Sequence, residues 1–213
     1  MLTLLPQPSR ESPPMFESRF VDRFSRTHWA IVPALFVPGM IASFYYGVAH
    51  AGASVLPGLG TVGLGVIAWT LTEYWLHRTL FHWEPGGKFG ERMHFVLHGV
   101  HHKWPRDQYR LVMPPAVSLT LFWLFIGLWV ALFGRYGYTF HAGFTLGYMF
   151  YDLSHYYMHH GHPRWNWLKD LRKHHMVHHS PRLANEQKFG VSTTLWDHVF
   201  GTYGQRETRE VEA

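Results

Sequence analysis

The sequence predicts an all-α integral membrane protein with about four transmembrane helices and a cytoplasmic cap of histidine-rich helices. Three observations support this fold class. Only 15% of the 213 residues are charged, whereas about a quarter is usual in soluble domains. The charged residues are missing from several long apolar stretches. The chain also contains 18 histidines and no cysteine, so any metal must be held by nitrogen or oxygen.

Three stretches without Asp, Glu, Lys or Arg have lengths comparable to a membrane crossing. The first, between Arg26 and Glu73, is long enough for two passes, with a break expected at 51–60, where Gly and Pro cluster. The second contains one pass at 116–133. The third lies between Arg135 and Asp152. The segment expected there, at about 140–153, is short for a span and would either continue into the following histidines or enter the bilayer only partway. A soluble aromatic core is disfavoured because soluble domains rarely bury so long an uncharged stretch.

The distribution of basic residues predicts the orientation in the membrane. Four arginines precede the first span: Arg10, Arg19, Arg23 and Arg26. The positive-inside rule therefore predicts a cytoplasmic N-terminus, and four passes place the C-terminus and every histidine cluster on the same side. Three parts are expected along the chain: a flexible basic leader with an amphipathic segment at 1–26, a membrane domain at 27–204 and a polar tail at 205–213.

Four clusters contain most of the histidines, at 77–82, 98–102, 155–160 and 174–179. Residues three and four apart lie on one face of an α-helix. Three sets are therefore each expected to meet at a common point: His98 with His101 and His102, His155 with His159, and His175 with His178 and His179.

The first cluster has a different spacing. His77 and His82 are five residues apart, which places them on different sides of a regular helix. The helix is therefore expected to end or distort before His82, ahead of a turn at 83–87 that contains one proline and two glycines.

The number of histidines predicts two metal ions. Neutral imidazole binds iron, zinc, copper and nickel, and one ion needs about three or four protein ligands. Ten convergent histidines exceed that number, so two ions with about five nitrogens each are predicted. Iron is favoured because catalytic zinc has no redox chemistry, although zinc can replace iron in a purified sample. Two redox-active ions beside a bilayer suggest O₂ chemistry on a lipid.

The clusters resemble those of the fatty acid hydroxylase and sterol desaturase superfamily, most closely the fatty acid 2-hydroxylases. The likeness extends from about Glu73 to Tyr203 and includes YRLVMPP at 109–115 and FGVSTTLWDHVFGT at 189–202. It implies O₂-dependent hydroxylation next to the carboxyl carbon of a fatty acyl chain, free or in a ceramide-like amide. Many relatives carry a fused cytochrome b5 domain, for which this chain has no room, so a separate cytochrome b5-like or ferredoxin donor is expected.

The resemblance also implies the site residues by motif position. Ten histidines are expected to be both metal ligands and catalytic residues: His77, His82, His98, His101, His102, His155, His159, His175, His178 and His179. His160 and His174 match doubled-histidine positions and are expected to contact and orient the ligands without binding the metal themselves.

Several other residues are candidates for supporting or substrate-binding roles. Asp152, three residues before His155, is placed to orient a ligand imidazole, with a surface salt bridge as the alternative. Glu73 lies four residues before His77 at a membrane end, where acids are often functional; His94 is a further supporting candidate. The expected substrate-binding residues are Tyr109, Arg110 and Tyr151. Arg110 is suited to a lipid carboxylate or phosphate, with interfacial anchoring as the alternative.

Other functions stay open at this point. The same kind of site is compatible with desaturation, or with hydroxylation of a sterol, carotenoid or alkylglycerol. A zinc-binding membrane scaffold or a metal transporter is a further alternative, although the spans contain no acidic pathway beyond Glu73 and Asp152. No nucleic-acid partner is expected.

Overall fold

The computed structural model describes residues 13–180 and 186–204. The expectations for most of the leader (1–12) and for the tail (205–213) lie outside the described residues. Within the described ranges the secondary structure is helical and contains no strand, as predicted.

The helices of the described ranges include four long ones that form a bundle and five shorter ones at one end of it. In chain order they are α1 (Arg19–Phe24), α2 (Ile31–Ala49), α3 (Val55–Trp75), α4 (Gly87–His94), α5 (Val100–Lys103), α6 (Pro115–Phe133), α7 (Gly137–His160), α8 (Asn166–His178) and α9 (Leu195–Val199). Two π-helical segments interrupt the α-helical geometry. Leu76–Phe81 continues α3, and Phe95–Gly99 joins α4 to α5.

Three segments are long and apolar enough to cross a membrane: Ile31–Ala49, Val55–Phe81 and Pro115–His160. The third comprises α6 and α7, which are joined by a short 3-10 turn at Gly134–Tyr136. α6 and α7 pack against each other through aromatic side chains, with 4.9 Å between the ring centroids of Phe125 and Phe144. These apolar helices agree with the prediction of an integral membrane protein.

The helix boundaries differ from the predicted ones in two places. The break between the first two spans covers only 50–54, because Pro57 and Gly58 lie in the first turn of α3. Proline is tolerated there, since the amide groups of a first turn have no partner within the helix. The last span is longer than its uncharged stretch, because α7 has 24 residues and continues through His155 and His159, which is the first of the two expected alternatives.

All the histidine clusters lie at one end of the bundle. α3 and α7 both run toward this end, and α3 leads directly into His77. The N-terminal segment meets the same end, where the Thr27 amide donates to Tyr109 O at 2.7 Å. At the opposite end, Ser43 Oγ donates to Tyr138 O at 2.8 Å.

α3 and α7 approach each other closely at two glycines. A Cβ atom added at Gly65 would lie 2.2 Å from Phe140 O, and one added at Gly143 would lie 1.9 Å from Val62 O. Small residues allow such backbone contact between membrane helices, where van der Waals packing drives association. This contact fixes the spacing between the helix that leads to His77 and the helix that carries His155.

A buried ion-pair network holds the N-terminal segment against the histidine end. Arg110 Nη2 lies 2.9 Å from Asp22 Oδ1, and Arg110 Nη1 lies 3.3 Å from Asp107 Oδ2. Asp22 also accepts a hydrogen bond from the Met15 amide at 2.6 Å. Residues of the predicted leader therefore contribute to the packing of the domain.

We expect Asp22→Asn to lower the free energy of unfolding by about 3 kcal/mol, because it removes one partner of a buried ion pair and leaves the Arg110 charge only partly compensated. The measurement is thermal or denaturant unfolding of the protein in detergent. Glu17→Gln, which removes an exposed acid from the same segment, is the matched control and should change little. Equal stability of the two variants would contradict the role of the network.

Candidate metal centre

Ten histidines converge at the end of the bundle as two groups of five. Within each group the candidate ligand atoms all lie within 4.8 Å of one another. The first group contains His77, His82, His98, His102 and His178. The second group contains His101, His155, His159, His175 and His179. These are the ten histidines that the sequence singled out.

The groups divide the sequence clusters in a way that corrects one expectation. His98 and His102 belong to the first group, whereas His101 belongs to the second, so the three do not meet at one point. His175 and His179 likewise belong to the second group, but His178 belongs to the first.

Helix geometry explains this division. Residues four apart lie on one face, whereas adjacent residues point about 100° apart. The pairs His101-His102 and His178-His179 therefore each direct their two rings toward different groups. α5 and α8 contribute ligands to both groups for this reason and lie between them.

The π-helical segment accounts for the spacing of the first cluster. Hydrogen bonds in a π-helix connect residues five apart, which brings such residues to one side. Leu76–Phe81 adopts this geometry, and the ring centroids of His77 and His82 are 5.0 Å apart. The expected distortion before His82 is confirmed.

The imidazole nitrogens face one another at distances that suit a bound cation. In the first group, His98 Nε2 lies 3.1 Å from His77 Nε2 and 2.9 Å from His102 Nε2. In the second, His175 Nε2 lies 2.9 Å from His155 Nε2 and 2.8 Å from His159 Nε2. Two ligand nitrogens that are each about 2.1 Å from a metal ion, with an angle of about 90° between them at the ion, would be about 3.0 Å apart.

Two hydrogen bonds assign the protons of the first group. His77 Nδ1 lies 2.6 Å from Phe189 O, and His178 Nδ1 lies 2.9 Å from Gln187 O. A carbonyl oxygen only accepts, so both neutral rings carry their proton on Nδ1 and present an unprotonated Nε2. Unprotonated nitrogens that converge in this way fit a metal ion.

Burial keeps these imidazoles neutral. It lowers the pKa of His98 and of His175 well below the ordinary value, and neighbouring imidazoles lower both further. Burial also lowers the pKa of His178 to about 4, against the opposing effect of its hydrogen bond to Gln187. A cation therefore does not have to displace protons from these ligands near neutral pH.

A loop at 187–192 lies beside the first group and is anchored by Asp197. This buried carboxylate accepts hydrogen bonds from the Phe189 amide at 2.9 Å and the Gly190 amide at 2.8 Å. His174 Nε2 donates to it at 3.0 Å. Burial alone would raise the pKa of Asp197, but these bonds and one from Thr202 hold the pKa below its usual value.

Glu73 anchors the other end of this loop. Its Oε1 accepts hydrogen bonds from the amides of Val191 and Ser192, both at 2.7 Å, and Ser192 Oγ donates to Oε2. Glu73 and His174 were expected to support the ligands from behind. The structure connects both of them to the loop whose carbonyl groups contact His77 and His178.

The other supporting candidates lie elsewhere. Contrary to expectation, Asp152 does not contact an imidazole in the described part of the chain: its Oδ2 accepts from Tyr148 Oη at 2.8 Å and from the Met113 amide at 3.3 Å. His94 Nδ1 lies 3.6 Å from a Glu84 carboxylate oxygen. The His160 ring packs on Tyr156 at 4.6 Å.

Of the three substrate-binding candidates, only Tyr151 lies beside a histidine group, with its ring centroid 5.7 Å from that of His155. Tyr109 is exposed. The Arg110 side chain is only 2% exposed and pairs with Asp22 and Asp107, so it does not present its guanidinium to a lipid.

The sequence interpretation missed Asp197 and the carbonyl groups of Gln187 and Phe189. One signal was available, because Asp197 is the only charged residue between Lys188 and Arg206. An isolated acid in an uncharged segment often has a buried partner.

Two of the cavities among the described residues adjoin residues of the histidine groups or their immediate neighbours. An apolar one of about 40 Å³ lies between the spans, and its lining includes Leu76, Trp69, Met113 and Phe144. A polar one of about 390 Å³ lies outside the second group, and its lining includes Arg106, His159, His160, Arg172 and Met176.

Comparison with known proteins adds an independent observation. A family model described as fatty acid hydroxylase matches residues 62–202. The dihydroceramide fatty acyl 2-hydroxylase FAH2 of Arabidopsis thaliana is 36% identical over 90% of this chain and 80% of its own length. The ceramide very long chain fatty acid hydroxylase SCS7 of Saccharomyces cerevisiae is 38% identical over 90% of this chain and 50% of its own length.

The fatty acid 2-hydroxylase of Homo sapiens is 36% identical over 88% of this chain and 56% of its own length. The chain thus spans about half the length of these yeast and human relatives. A solved structure of full-length scs7p, in which only the hydroxylase domain is visible, matches with a TM-score of 0.79 and 37% identity. That match covers 88% of this chain and 70% of the other.

Proposed function

The chain belongs to the fatty acid hydroxylase family, and from this premise we propose that it hydroxylates a lipid acyl chain at its second carbon, using O₂ and two iron ions. The observation that carries the proposal is the convergence of ten imidazoles as two adjacent groups at the end of apolar helices. The relatives compared above are fatty acyl hydroxylases, and the names of two of them refer to ceramide or dihydroceramide.

Each group would hold one ion. The ring centroids of His102 in the first group and His179 in the second are only 4.4 Å apart, so the two sites are neighbours. When bound, two iron ions supply the redox chemistry with O₂ that oxidation of a C–H bond requires. The protein contributes neutral, preorganised ligands and a buried setting that limits the access of water.

The substrate is proposed to enter from the bilayer. The apolar cavity reaches Leu76, which directly precedes His77. An acyl chain that entered and widened this cavity would therefore have one end directed at the metal centre. The Tyr151 ring contacts both Trp69, which lines this cavity, and His155, at centroid distances of 5.9 Å and 5.7 Å, and it would contact the substrate near its reacting carbon. The polar head, a carboxyl group or a ceramide-like amide, would lie at the histidine end, and its position would select the second carbon.

Electrons are proposed to come from a separate cytochrome b5-like protein or ferredoxin. The net charge of +5 and the arginines near the second group would suit an acidic donor. We further propose that the metal centre and both termini face the cytoplasm, as the four arginines before the first span indicate.

The test is lipid analysis of a host that makes no 2-hydroxy lipids of its own. With iron, O₂ and a reductant system present, expression should produce 2-hydroxyacyl chains that mass spectrometry identifies by mass and by the position of the hydroxyl group. A new double bond, or a hydroxylated sterol or carotenoid, would indicate another reaction at the same site. Unchanged lipids under these conditions, with the protein in the membrane, would contradict the proposal.

A further inference from the structure

We propose that the two histidine groups bind metal with unequal affinity, so that the first group fills first and the second group exchanges its ion more readily. This inference rests on the proposed two-metal function and adds to it an order of loading. It also assigns Asp197 and Glu73 as positioning residues that act on the first group through the loop at 187–192.

In the first group, two ligand imidazoles form hydrogen bonds to the protein through the ring nitrogen that faces away from the proposed ion. The bonds of His77 Nδ1 to Phe189 O and of His178 Nδ1 to Gln187 O fix the tautomer and the ring orientation of two ligands. Such bonds raise ligand basicity, and their loss typically weakens metal binding by about 10–100-fold.

The loop that supplies these carbonyl groups is itself held in place. Asp197 binds the Phe189 and Gly190 amides, and Glu73 binds the next two amides along the chain. The loop therefore cannot move away from His77 without breaking buried hydrogen bonds to two carboxylates, which is costly. Both residues act on the metal site through this loop.

The second group has no equivalent support in the described ranges. The Nδ1 atoms of His155, His175 and His179 are buried there without a hydrogen-bond partner. The orientation of these rings depends on packing alone, so their nitrogens lose more freedom when an ion binds. Weaker binding follows at this group.

The second group also adjoins an open cavity that contains positive charge. His159 contributes to the lining of the polar cavity, together with Arg106 and Arg172. A nearby guanidinium disfavours an additional cation, and the cavity gives that cation a route out of the protein. Both effects act in the same direction as the missing hydrogen bonds.

The first experiment measures bound zinc per chain by elemental analysis while the purified protein in detergent is equilibrated with buffered free zinc. Zinc is used because it avoids oxidation during the titration. We expect two steps of one ion each, separated by about 10-fold or more in free zinc. A single step in which both ions bind together would overturn the proposal, and this outcome needs no variant.

Ligand variants assign the steps. His159→Ala, in the second group, should leave one ion that binds with the high affinity of the first step. His82→Ala, in the first group, should leave one ion that binds with the low affinity of the second step. The reverse assignment would overturn the proposal.

Asp197→Asn tests the positioning role. It should weaken the tight step by about 10–100-fold and leave the weak step unchanged, a selectivity that general loss of stability would not produce. Asp152→Asn is the matched control, because this buried carboxylate contacts neither the loop nor an imidazole among the described residues, and both steps should persist. Equal weakening of both steps by Asp197→Asn would overturn the role.

These outcomes separate the inference from the proposed function. Failure of the wild-type protein to bind zinc would remove the basis of both. Equal binding at two sites, with 2-hydroxyacyl product still formed in the lipid assay, would overturn only the unequal affinity.

Discussion

Replacement of His101 or His178 with alanine is expected to reduce formation of the 2-hydroxyacyl product by at least about 100-fold, because the loss of a bond behind a ligand already reduces activity by 10–100-fold and these residues are proposed ligands themselves. His178 belongs to the first group and His101 to the second, so each variant removes one of five nitrogens from a different ion site. Insertion into the membrane should persist, since the apolar spans drive it.

The measurement is product per inserted protein, with lipid mass spectrometry for the product and alkaline extraction of membranes for insertion. His50→Ala is the control, because this histidine is exposed at the opposite end of the bundle and lies outside both groups. Substantial product from either ligand variant would show that the affected group is not required for catalysis.

The second large effect is expected at the contact between α3 and α7. Gly65→Ala should reduce the free energy of unfolding by about 3 kcal/mol, because a methyl group cannot fit without separating the backbones. The added Cβ would lie 2.2 Å from Phe140 O and 2.7 Å from Phe144 N, and neither backbone atom can rotate away. Product formation should fall as well, since separation would move His77 away from the histidines of α7.

Gly63→Ala provides a matched control two residues away on the same helix. Its added Cβ would have no atom within 4 Å, and alanine has a higher helix propensity than glycine by about 1 kcal/mol. We therefore expect effects of opposite sign when the two variants are unfolded in detergent. Similar unfolding temperatures would show that the close approach does not limit stability.

Much of the fold could be predicted from the distribution of charge alone. The long uncharged stretches indicated the apolar helices, because a charge inside a bilayer is costly. The helix boundaries were less predictable, since Pro57 and Gly58 are typical of a break but are also compatible with the first turn of α3. Local sequence does not distinguish these two environments.

In the site as well, features set by local helical spacing were predictable, whereas those set by the packing of distant helices were not. A spacing of four correctly predicted which histidines share a group: His98 with His102, His155 with His159, and His175 with His179. A spacing of three did not, since His101 and His178 belong to the other group in each case. Helical spacing could not indicate that His101 and His102 contribute to different groups, because that depends on which helices lie on either side of α5. The distortion at His82 was predictable, since a spacing of five does not fit a regular α-helix.

The supporting residues depended on contacts between distant parts of the chain. Arg110 was expected near a lipid, but Asp22, which is 88 positions away in sequence, pairs with it. Asp152 was expected to orient His155, but its carboxylate instead accepts a hydrogen bond from Tyr148, one turn earlier on the same helix. Asp197 was not considered, because its role depends on the fold of the loop at 187–192.

The most direct test of the proposed function follows the oxygen atom. Purified protein, loaded with iron and supplied with a reductant, would be incubated with an acyl lipid under O₂ enriched in a heavy isotope, and the product analysed by mass spectrometry. The account predicts one heavy oxygen atom per product, located in a hydroxyl group on the second carbon. A product whose hydroxyl oxygen comes from water, or no oxidised lipid from protein that holds both ions, would contradict it.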